Sequence, residues 1–245
     1  MKMTRSLKSE SDGKHHHLSP PSGSSSVDHD GKFKTSRRYR LLPSTWLVLL
    51  YWSLGLLLGR FYLDPERVDY TNFEYHGPGH GVWIALGTAS VMIGNLAYVK
   101  VCHHDNRPKA TLPMIAIFSL GNGICETFWF LASFDWGAHL TRKLIGDSDS
   151  SWIFAGGFTV LLIFCGVIHA LFWLRVLPSH MGGKLSTEQK RLKLVWRICL
   201  FAMTFDWAWL YHRYSDFWSI TFMHTLTDIF LACVVRYSFF ETAQA

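Results

Sequence analysis

Six apolar stretches, each near the ~20 residues that a helix needs to cross a bilayer, constrain the fold of this chain more than any other feature. They fall at approximately 42–60, 81–101, 112–136, 152–176, 193–212 and 217–237 of the 245 residues. In hydrocarbon every backbone polar group needs an internal partner, so runs of this kind fold as helices packed side by side. The expected fold is all-α: a polytopic membrane helix bundle of about six transmembrane helices over 41–240. Residues 1–40 are expected to form a disordered basic tail, and 241–245 a short C-terminus.

Charge sets the expected orientation. Segments 1–40, 100–111, 175–197 and the C-terminus carry 9, 3, 6 and 1 Lys/Arg, against 2, 2 and 1 in 60–80, 137–151 and 213–216. This bias predicts both termini on the cytoplasmic side of a membrane. The tail holds nine basic and four acidic residues, most of the formal charge of +6, and the remainder is nearly balanced. A nucleic-acid partner is therefore not expected, and membrane lipids are. The tail is rich in Ser, Lys and His without a hydrophobic period, which predicts disorder. Five cysteines without a CxxC pair fit neither a disulfide framework nor a zinc ribbon.

Gly55 and Gly59 make a GxxxG pair, and Ser90 and Gly94 a second small-residue pair. Both allow close helix approach, within the chain or to a membrane-protein partner. Trp46, Trp152, Trp209, Tyr211 and Trp218 stand near span ends, where interfacial aromatics are expected.

Three carboxylates, Glu126, Asp206 and Asp228, interrupt the apolar spans. Each opposes insertion by roughly 2.5–3.5 kcal/mol near a bilayer centre, so such groups shelter from lipid and mark function. At 100° per residue, Ser119, Asn122, Glu126 and Ser133 share one helix stripe, and Thr221, His224, Thr225 and Asp228 share another. Asp135 should point away from Glu126. Under the expected topology Glu126, Asp206, His224 and Asp228 lie at mid-depth or toward the non-cytoplasmic side, which predicts a polar cavity opening there.

Glu126, Asp206, Asp228 and His224 are accordingly the candidate acid/base residues. Asn122, Trp129, Trp207 and Trp209 are candidates for contact with a hydrophobic substrate, the indoles through their ring faces. His80, His212, His224 and Asp228 are the candidate ligands should a zinc ion take part; the alternative is chemistry without a cofactor. The pairs His76/His80 and His103/His104 are similar to the histidine boxes of membrane di-iron hydroxylases, but no repeated HxxHH box occurs. The His224–Asp228 pair resembles part of the ligand set of intramembrane zinc hydrolases acting on ceramide, whose clustered ligand motifs are absent. The leading expectation is a membrane-embedded enzyme acting on a lipid, sterol or isoprenoid, such as an isomerase, cyclase or hydrolase. A membrane scaffold or assembly factor and a small proton-coupled transporter are the alternatives.

Overall fold

A computed structural model describes residues 26–27, 33–34, 39–41, 43–63, 68, 75–101, 112–146, 150–168, 186–235 and 240–242. Among these, six helices carry the fold: α1 (Pro43–Phe61), α2 (Pro78–Val101), α3 (Leu112–Ile145), α4 (Ser150–Ile168), α5 (Thr187–Tyr214) and α6 (Phe217–Val235). All lie in one compact unit, Arg40–Glu241. Apart from short strand pieces, among them Ser26–Val27 paired antiparallel with Phe33–Lys34, the tail expected to be disordered lies outside the described residues.

Local chemistry explains the helix ends. Pro43 and Pro78 open α1 and α2, where a missing N–H costs nothing. Gly146, at φ 83°, ends α3 in the left-handed region that a side chain disfavours. Ser186 caps α5 through a reciprocal box with Gln189, the two side chain–backbone bonds being 3.1 and 3.0 Å. Between α5 and α6 the turn needs only Ser215 and Asp216. Ser215 takes the left-handed conformation (φ 54°), and Asp216 Oδ1 then accepts the Ser219 N–H at 2.9 Å, capping α6.

The helices pair as α3–α4, α4–α5, α5–α2, α2–α6 and α6–α3, closing a five-membered ring, while α1 packs on the outside of α3. Close approach depends on small residues. A Cβ at Gly55 would meet the Cys125 carbonyl on α3, one at Gly59 the Phe128 ring, and one at Gly94 the Cys199 side chain on α5. The Gly55/Gly59 pair and Gly94 thus allow close approach within the chain, to α3 and to α5.

Polarity runs inside out. Ile117 and Ile163 are 60% and 61% exposed, whereas Asp228 and Asp206 are 2% and 3% exposed. A water-soluble bundle has the opposite arrangement. By length and composition α2, α3 and residues 150–167 of α4 are long and apolar enough to cross a membrane, and Trp46–Phe61 and Phe217–Cys233 are shorter apolar helices. At about 1.5 Å per residue, α3 extends well beyond a ~30 Å hydrocarbon core. Helix α5 is less apolar, because Glu188, Lys190, Arg191, Lys193 and Arg197 crowd its first three turns and Asp206, His212 and Arg213 follow. Of the expected aromatic belt, Trp46 and Trp152 are exposed, but Tyr211 is fully buried, and its hydroxyl donates to Asp135 Oδ2 at 2.6 Å.

Candidate functional site

Glu126 on α3 is the centre of a buried polar network. The Tyr51 hydroxyl of α1 donates to its Oε1 at 3.0 Å, and Asn122 Nδ2, one turn earlier on α3, donates to its Oε2 at 2.7 Å. The same Asn122 nitrogen donates to Asp228 Oδ2 of α6 at 3.0 Å, so one amide links two carboxylates. Trp52 Nε1 donates to Asn122 Oδ1 at 3.0 Å, which fixes the amide with its NH₂ toward the acids. His224 completes the group: its Nε2 lies 3.1 Å from Glu126 Oε2 and 3.6 Å from Asp228 Oδ2. Phe130 and Trp207 both pack against the imidazole, each with its ring centroid 5.2 Å away. Its Nδ1 is buried without a hydrogen-bond partner among the described residues.

The helix stripes bring these groups together. Asn122 and Glu126 stand one turn apart on α3, as do His224 and Asp228 on α6, and the two helices pack directly. Glu126, His224 and Asp228 border a cavity of about 250 Å³ that all five ring helices line. Phe130, Leu162, Met203, Trp207 and Leu231 give it apolar walls, and Asn95 and Arg197 contribute further polar groups. Asn95 and Arg197 stand toward the C-terminal end of α2 and the N-terminal end of α5. The cavity therefore extends toward the Lys/Arg-rich end of the bundle, opposite to the end that the distribution of ionisable residues pointed to.

Asp206 stands apart from this network. It faces α2, where a Cβ at Gly87 would meet its Oδ2 and Met223 Sδ. Neither carboxylate oxygen has a hydrogen-bond partner among the described residues, and Asp206 is not among the residues lining the cavity, so it does not join the Glu126 set.

The four candidate metal ligands do not converge either. His80 Nε2 pairs with Asp216 Oδ2 at 2.6 Å, while its Nδ1 accepts the His76 N–H at 3.2 Å. His212 packs against the Phe134 and Phe154 rings. Only His224 and Asp228 share a site, and among the described residues no group of three or more His, Cys, Asp or Glu is placed to hold a metal ion. Each separated histidine follows the neighbours that its own helix end presents, a choice invisible in spacing along the chain. His103 and His104 lie outside the described residues.

Of the aromatic candidates only Trp207 lines the cavity. Trp129 donates to the Tyr51 carbonyl at 3.0 Å and stacks on the Tyr51 ring at 5.4 Å, holding α1 against α3. Trp209 packs against Trp83 and Phe154. Sequence reasoning missed Tyr51 and Trp52, the donors that anchor the acid cluster. Their signal was present, since both sit in the middle of α1, away from the interface where Tyr and Trp gather. Comparison with family models, curated proteins and solved structures gave no match. The chemistry open to this arrangement is proton transfer: two carboxylates and an imidazole within reach of one another, beside an apolar space.

Proposed function

We propose that this chain is a six-helix integral membrane protein and an enzyme. In this reading its cavity binds a lipid, sterol or isoprenoid, and Glu126, His224 and Asp228 move a proton to or from that substrate in an isomerisation, cyclisation or hydrolysis. The observation that carries the reading is the meeting of three buried ionisable side chains from two helices at a cavity whose walls are mostly apolar. A purely structural network needs no adjoining space. A buried acid beside apolar space has the surroundings in which enzymes tune carboxyl groups for acid/base work.

The close packing of five helices in a ring, with α1 against α3, supports a reading of six crossings. Helix α5 is polar for a span, yet its buried residues from Met203 to Tyr211 pack inside the bundle, sheltered from lipid. The Lys/Arg bias then puts both termini, and the Arg197 end of the cavity, on the cytoplasmic side.

The test is lipid profiling of a null mutant complemented with Glu126→Gln, Asp228→Asn or His224→Gln. The expected result is a missing or accumulated lipid in the null that none of the three restores, each being present in the membrane at the wild-type level. An unchanged lipid profile in the null overturns the enzyme reading. That profile with a lost protein complex identifies a scaffold, and with a lost proton-driven flux, a carrier.

A further inference from the structure

We propose that the cavity takes a single-chain anionic amphiphile, with its carboxylate or phosphate held by Arg197 and Asn95 and its chain running toward Glu126 and His224. This rests on the cavity being a substrate site, and it names the substrate's charge and where along it the acids act.

One unmet buried donor and one guanidinium stand at the same end of the cavity. Asn95 is 4% exposed and lines the cavity, yet its Nδ2 has no hydrogen-bond partner among the described residues. A buried amide N–H left unmet is destabilising, a penalty that a ligand accepting it would remove. Arg197 also lines the cavity and has no carboxylate partner among the described residues. The two stand at one level: Gly94 approaches Cys199, and the Tyr98 and Trp196 rings meet at 5.3 Å, which brackets Asn95 and Arg197 between paired turns of α2 and α5. Guanidinium and amide together suit a carboxylate or phosphate, the guanidinium as a planar charged fork.

The register between α2 and α6 places this donor pair relative to the acids. His80 pairs with Asp216 and Gly87 approaches Met223, so the helices run in parallel and Asn95 falls level with Leu231. His224 is then two turns deeper, roughly 10 Å at 1.5 Å per residue, and Asp228 less than one turn, roughly 5 Å. An anion at Arg197 and Asn95 would extend its chain past Asp228 along Leu200, Met203 and Leu231, bringing a carbon about 10 Å from the head beside Glu126 and His224. The volume of about 250 Å³ lies below the ~300–1,000 Å³ usual for drug-sized ligands, which suits one short chain.

The test uses the full chain in phosphatidylcholine nanodiscs, with bromoundecanoate as a quencher of Trp196 and Trp207, the indoles on the cavity wall. Saturable quenching is expected, displaced by dodecanoate or dodecyl phosphate at least about tenfold better than by dodecanol or dodecyltrimethylammonium, a difference of ~1.4 kcal/mol. The stronger of the two anions identifies the headgroup. Arg197→Gln, at an exposed position that does not threaten folding, is expected to abolish that preference. Equal displacement by dodecanol, quenching that never saturates, or an unchanged preference in Arg197→Gln overturns the proposal. No turnover enters this assay, so it can fail while the acid variants still abolish activity, and the converse also holds.

Discussion

The Tyr51 hydroxyl donates to Glu126 Oε1 at 3.0 Å, tying the helix outside the ring to the acid at the centre of the buried polar network. Helix α1 lines none of the cavity, yet with Trp52 on Asn122 it supplies both donors that orient the network from behind. Tyr51→Phe leaves a buried carboxylate oxygen without that donor at almost unchanged volume. The expected loss is about 1–3 kcal/mol of stability, read as a lowered unfolding midpoint in detergent. Trp52→Phe should act on the same unit, so the double variant is expected to be less than additive.

Gly87 and Asp206 form a second contact that can be tested. A methyl at Gly87 has nowhere to go while Asp206 and Met223 hold their places, and such overpacking typically costs 1–3 kcal/mol. Gly87→Ala should destabilise the bundle by about that amount, and adding Asp206→Ala should recover most of it. A double-mutant cycle by thermal unfolding with no coupling would contradict the contact.

His80 and Asp216 join the start of α2 to the turn before α6. Leaving a buried hydrogen-bonding group without its partner costs about 1–3 kcal/mol, so His80→Leu should lower stability. Asp216 also caps α6, and an asparagine keeps that acceptor. Asp216→Asn should therefore be milder than Asp216→Ala, as measured by helicity and unfolding in micelles.

The outward isoleucines report on the membrane itself. Ile163→Asp places a carboxylate on the exposed face of α4 and should oppose insertion by about 2.5–3.5 kcal/mol if that face meets lipid. Glycosylation-mapped insertion of α4 measures this, and an unaffected insertion would show that the face is covered.

Much of the candidate site is legible in the order of residues along the chain. Glu126 with Asn122 and His224 with Asp228 are one-turn pairs within single helices, and helix phase alone puts each pair on one face. Asp206, His80 and His212 show where that reasoning stops. Phase assigns a residue to a stripe but not to the helix that the stripe meets. Asp206 meets α2 at Gly87, His80 meets the α5–α6 turn, and His212 meets two phenylalanines.

The sequence by itself determined that these helices form, because apolar run length acts over neighbouring residues, but not every end. Helix α3 runs to Ile145 rather than 136, and α5 starts at Thr187 rather than 193, where the Ser186 cap lies in a polar stretch that apolar run length does not register. The sequence also determined which side of α3 and of α6 is polar. Only the tertiary structure decided which polar groups meet, which end of the bundle is hollow, and that α1 braces the acids from outside. Those outcomes depend on contacts between residues as distant as Tyr51 and Glu126, and they are set by how closely glycines such as Gly55, Gly87 and Gly94 let one helix approach the next.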